Sequence, residues 1–97
     1  MQIRWAPKAA DALEAIVDYI SRDNPTEAQR VAQEIYDRVS SMLGTFPRAG
    51  RRGRVKDTRE LPLPPLPFIV VYRVLEHADA VEIVNVIHGA QRWPPVG

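Results

Sequence analysis

The chain has 97 residues, no cysteine and a formal net charge of +1, with 45% hydrophobic and 26% charged residues. That length holds one domain and one modest core. The missing cysteines exclude a disulfide scaffold, a thiolate zinc site and a cysteine nucleophile, and the composition excludes a disordered chain.

Ile3 and Trp5 alternate with Arg4, which predicts a short first strand. Pro7 suits the first turn of a helix, where its missing N–H costs nothing. Ala9, Leu13, Ile16, Val17 and Ile20 follow at helical spacing, predicting an amphipathic helix over 7–22 with Ala6 at an imperfect cap. Trp5 and Tyr19 read as packing residues between helix and sheet. Asp23-Asn24-Pro25 ends that helix and starts another, with Asn24 as N-cap, Pro25 in the first position and Glu27 three residues on. Ala28, Val31, Ile35, Val39, Met42 and Leu43 form one apolar stripe, so the second helix is expected to reach about Leu43 and stop at Gly44. Two striped helices with a two-residue link make a helical hairpin.

Residues 46–53 read as a loop around Phe46-Pro47, Gly50 and Gly53. The period then changes to two, predicting a strand near 57–63. The four prolines from Pro62 to Pro67 belong at an edge or in a connection, because they cannot donate ladder hydrogen bonds. Phe68–Leu75 and Val81–Ile87 are rich in Val and Ile and predict two central strands, with a turn at His77-Ala78-Asp79 and an irregular tail from His88. The fold class is therefore α+β: strand, helix, helix, then three strands, with the hairpin on one face of the sheet. Arg73 interrupts the longest apolar run, so no membrane span is expected. The opening residues lack an apolar leader, so the expected location is cytoplasmic.

The small net charge hides an asymmetry. Residues 1–47 carry five basic and seven acidic side chains, and residues 48–97 carry eight and five. Arg48, Arg51, Arg52, Arg54, Lys56 and Arg59 fall within twelve residues against a single acid, Asp57. Such a run is a solvated loop, a surface for an acidic protein, or a site for nucleic-acid phosphates. Arg73 inside an apolar strand needs a carboxylate such as Glu60 or Glu82, or a role at the sheet surface. His88 at a strand end has the ordinary imidazole range suited to acid–base work, or is simply hydrogen-bonded there. Trp93 before Pro94 reads as an anchor for the tail. His77 and His88 lack metal-ligand spacing, and Gly50-Arg51-Arg52-Gly53 is too short for a dinucleotide loop, so neither metal nor cofactor is expected.

Taken in order, several stretches resemble the RelE/ParE superfamily of type II toxin–antitoxin toxins, and the ParE branch most closely. They are Ala9–Ile16 with Tyr19-Ile20, Asn24-Pro25, Pro47, Gly50-Arg51, Thr58-Arg59-Glu60-Leu61, Val71-Tyr72-Arg73-Val74 and Val86–Pro94. The resemblance implies a helical hairpin on an antiparallel sheet whose first strand lies beside the last. It also implies a cognate, ParD-like ribbon-helix-helix antitoxin in a heterotetramer or larger complex, with DNA reached only through the antitoxin. ParE-like toxins poison DNA gyrase and block replication. On that reading no catalytic residue is expected, and Arg51, Arg52, Arg54, Arg59, Arg73, Arg92 and Trp93 are the candidate contacts for antitoxin or target. RelE-like relatives are ribosome-dependent mRNA endonucleases, and there His88, Arg73, Arg59 and Arg92 would form the catalytic set, with Glu60 a further candidate base. A third possibility is an inactive relative that only binds its partner. Asp57 stands where the family usually has glycine before Thr-Arg, and the Pro62–Pro67 stretch is unusually rich in proline.

Overall fold

The computed structural model describes residues 1–95. Five strands form one sheet in the order β1-β5-β4-β3-β2. They are β1 (Gln2–Trp5), β2 (Arg51–Arg52), β3 (Arg59–Pro62), β4 (Phe68–Leu75) and β5 (Ala80–His88), and two helices, α1 (Pro7–Ser21) and α2 (Pro25–Thr45), separate β1 from the rest. As expected, β1 lies beside β5. It runs parallel to it, so the sheet is mixed, while β2 to β5 pair antiparallel. The long connection that a parallel neighbour requires is the whole chain between β1 and β5, the helical hairpin together with β2, β3 and β4.

The hairpin packs on one face. Ala28, Val31, Ile35, Val39 and Leu43 of α2 are buried, as the stripe predicted, and all but Ala28 share one core with Leu61, Val70, Tyr72, Val81 and Ile83 of the sheet and Leu63 just past β3. Full burial of a side chain such as Ile35 or Leu43 stabilises by about 1.5–3 kcal/mol. The caps follow the sequence. Asn24 Oδ1 accepts the Glu27 amide at 3.1 Å, and Ala6 makes no side-chain cap. Gly44 does not end α2. The helix runs one residue further, and Phe46 leaves helical geometry at φ −125° because Pro47 follows it. Met42 is accordingly half exposed, outside the core stripe.

In α1, Ala9 and Leu13 are buried, but the second half of the helix is not. Tyr19 is 72% exposed and so does not pack between helix and sheet. Trp5 does pack, its ring centroid 4.8 Å from that of Tyr36. The opposite face of the sheet is covered by the tail. Trp93 is buried against Ile69, Val71 and Ile87, with Val55 and Val84 beside them. That burial bears out Trp93 as the tail's anchor and leaves it little surface to offer a partner.

The loop expected over 46–53 contains β2, whose two residues pair with Arg59 and Glu60 of β3. β2 reaches no further along β3, so Pro62 has only β4 as neighbour and its missing N–H faces no partner strand. The expected turn between β4 and β5 is a short 3-10 helix at Glu76–Ala78, closed by Asp79 at φ 50°.

Candidate functional site

The β2–β3 pair sorts its arginines between the two faces of the sheet. Arg51 lies opposite Glu60, and Arg52 lies opposite Arg59. Alternation along β3 sends Leu61 to the helix side and Glu60 to the other. Glu60 is 1% exposed, yet its carboxylate is well supplied with donors. The Arg54 amide donates to Oε2 at 2.9 Å, Arg54 Nη2 to Oε1 at 2.9 Å and Arg51 Nη2 to Oε1 at 3.3 Å. Burial pushes this carboxyl up, but the Arg54 guanidinium, the Arg54 amide and Arg51 together outweigh it and hold the group below the usual carboxylate range. Glu60 thus pairs with two arginines from behind, offsetting one of their two charges, and pins the loop that carries them.

The loop is built by close approach. At Gly50 a Cβ would stand 2.8 Å from Tyr72 Cε1 and its hydroxyl oxygen, and 2.9 Å from the Glu60 carbonyl oxygen. The bare glycine instead donates its N–H to the buried Tyr72 hydroxyl at 2.8 Å. Burial pushes the Tyr72 phenol up, against the Gly50 amide and the charges of Arg59 and Arg48. Arg59 Nη1 donates to the Gly50 carbonyl at 2.8 Å, which ties β3 to the start of β2. Asp57 adopts φ 62°, the left-handed region that glycine takes freely and aspartate tolerates. That geometry accounts for the residue exchange at this position and keeps the turn intact.

These contacts frame a cleft of about 590 Å³ between the 53–58 loop and the end of β4. Arg48, Arg52, Arg54, Lys56 and Arg59 line it against two acids, Asp57 and Glu76. Arg48 pairs with Glu76 across the mouth. Among the described residues Arg52 and Arg59 have no carboxylate partner.

The other candidates lie elsewhere. Arg73 pairs with Glu82, its direct neighbour across β4–β5, on the face away from Arg59. His88 sits opposite Phe68 at the far end of β4, five residues from Arg73, or about 16 Å along a strand. Its Nδ1 accepts the Ala90 amide at 3.0 Å. Arg92 is exposed on the tail. The set His88, Arg73, Arg59 and Arg92 is therefore not gathered at one point.

A second concavity, of about 650 Å³, lies beside His88 and was not anticipated from the sequence. Ala12, Ala15, Ile16 and Tyr19 of α1 form one wall, and Leu66, Phe68 and Val86 lie across it. This groove is why the second half of α1 stays half-buried. The signal in the sequence was an apolar stripe widened by Tyr19 and small alanines.

Comparison with known proteins gives a consistent family. Residues 3–93 match the family described as ParE toxin of the type II toxin–antitoxin system parDE. The toxin-like chain Y4kP of Sinorhizobium fredii is 42% identical over 95 residues, covering 98% of this chain and 95% of the relative. Toxin RelE2 of Caulobacter vibrioides is 34% identical over 90 residues, covering 93% and 97%. Among solved structures, a chain of the chromosomal ParDE system from P. aeruginosa superposes with a TM-score of 0.80 at 31% identity, covering 91% of this chain and 95% of that one. A chain of the RelBE2 toxin–antitoxin complex of Mycobacterium tuberculosis shares the fold at a TM-score of 0.68 and 19% identity, covering 93% and 92%. The helical hairpin on a five-stranded sheet and these matches together place the chain in the ParE family of type II toxins, within the RelE/ParE superfamily.

Proposed function

We propose that the protein is a ParE-like toxin that poisons DNA gyrase and is neutralised by a cognate ParD-like antitoxin. The observation that carries the reading is the family match over residues 3–93, joined to an open apolar groove beside α1 and an open cationic cleft at the other end of β4. An amphipathic antitoxin helix would set apolar side chains into the α1 groove beside Ile16 and Tyr19. The cationic cleft is then left for the target. Such a complex would be a heterotetramer or larger, act in the cytoplasm and reach its operator DNA through the antitoxin.

The spread of His88, Arg73, Arg59 and Arg92 over two faces and both ends of β4 supports a non-enzymatic mode of action. A general acid or base must lie within hydrogen-bond reach of its proton, directly or through one water, and about 16 Å is far beyond that. Expression without the antitoxin tests the reading. Growth arrest with an induced DNA-damage response and intact mRNA is the expected outcome. Cleaved mRNA without DNA damage would replace it with the endonuclease reading, and undisturbed growth with the inactive relative.

A further inference from the structure

Arg52 and Arg59 stand directly opposite each other across β2–β3 and line the same cleft. Directly opposed side chains in such a pair have Cβ atoms about 4.5–5.5 Å apart, and like charges there are destabilising. Glu60 pairs with Arg51 and Arg54 from the far face, yet no carboxylate among the described residues answers Arg52 or Arg59. Lys56 adds a third cation without an acidic partner. The frame that holds them is rigid. It comprises the buried Glu60 clamp, the Gly50–Tyr72 contact, and Gly53, where a Cβ would stand 2.2 Å from Thr58 Oγ1. A merely solvated loop has no need for a buried carboxylate and two steric locks behind it.

We propose that Arg52, Arg59 and Lys56 form a phosphate-binding site for the sugar–phosphate backbone of duplex DNA, so that the toxin touches DNA directly. Planar guanidinium forks bind phosphate oxygens bidentately, and Arg52 offers such a fork, while Arg59, whose Nη1 is held by the Gly50 carbonyl, offers its remaining N–H groups and Lys56 adds a point charge. The phosphate chemistry stands on the cleft alone. The choice of DNA as its source rests on the gyrase reading above. The α1 groove lies at the other end of β4, so a helix seated there leaves the cleft open.

Fluorescence anisotropy of the full-length toxin with a labelled 20-base-pair duplex, titrated with salt, tests the site. Three phosphate contacts give a slope of log affinity against log salt of about −2.7. Arg52→Gln with Lys56→Gln is expected to weaken binding at least tenfold at low salt and to flatten the slope by about 2. Both residues are exposed, so the thermal midpoint should hold, and Arg4→Gln on β1 serves as a charge control with wild-type binding. Equal affinity of the double variant and the wild type overturns the proposal. So does tighter binding of single-stranded RNA or of polyglutamate than of the duplex. Supercoiling by gyrase with the same preparations separates the two readings. Intact duplex binding with uninhibited gyrase removes the gyrase target and leaves the site standing. Inhibited gyrase with no duplex binding does the reverse.

Discussion

Gly50→Ala perturbs the frame of the cleft at its tightest point. No described glycine in this chain has positive φ, so the cost is one of space. The added Cβ meets Tyr72 Cε1 and hydroxyl at 2.8 Å and the Glu60 carbonyl oxygen at 2.9 Å. Tyr72 is fully buried in the core and Glu60 is held by two arginines, so neither can swing aside. Overpacking of this kind costs about 1–3 kcal/mol. Shifting Gly50 also breaks its bond to the Tyr72 hydroxyl and leaves a buried N–H unpaired, a further ~1–2 kcal/mol. The sum is ~2–5 kcal/mol, which in a domain of this size lowers the thermal midpoint by roughly 8–40 °C. Thermal denaturation followed by circular dichroism measures it. Tyr72→Phe alone should cost only the hydrogen bond. Adding Gly50→Ala to Tyr72→Phe should still destabilise, because the ring carbon and the carbonyl remain in the way. A midpoint for Gly50→Ala within 2–3 °C of the wild type, on the order of half a kcal/mol, would refute the steric argument.

The remaining predictions concern single positions. Glu60→Gln should lower the thermal midpoint at pH 7. The folded-state value of Glu60 lies below its ordinary 4.5, so its contribution is present above that pH and lost as pH falls through the folded value. The gap between variant and wild type should therefore close on acidification below about 4.5, and a gap constant with pH would contradict the ion-pair account. Trp93→Ala should cost about 3 kcal/mol and free the tail, seen as faster amide exchange over 88–93. Trp93→Phe should stay within about 1 kcal/mol of wild type, because the buried Nε1 has no partner to lose. Asp57→Gly should leave stability within about 0.5 kcal/mol, whereas Asp57→Val should cost about 1–2 kcal/mol at its left-handed φ, both read by urea denaturation.

Periodicity carried the large elements. The stripe from Ala28 to Leu43 and the β-branched runs of β4 and β5 are long enough for burial to dictate them. What stayed hidden depended on contacts distant in sequence. β2 is two residues long and exists only because Arg51 and Arg52 meet Glu60 and Arg59, so no local pattern announces it. The parallel direction of β1 depends on the path of the whole chain between β1 and β5, which strand alternation does not encode. Arg73 with Glu82 was legible as a charge needing a carboxylate, and the strand register chose which of the two. The arginine cluster was visible as a run of charge. Its division into arginines paired with Glu60 and arginines without a carboxylate required the pairing of β2 with β3. The groove beside α1 was missed because Tyr19 and Ile16 look like core residues until the hairpin is seen to leave them uncovered.

The central claim is that this ParE-family chain acts on gyrase. The direct measurement is supercoiling of relaxed plasmid by purified gyrase with the purified toxin added, alongside a translating-ribosome mRNA assay. A gyrase poison gives inhibited supercoiling with accumulated cleaved plasmid, reversed by the cognate antitoxin, and intact mRNA. Unimpaired supercoiling with mRNA cut at the ribosome would contradict the claim.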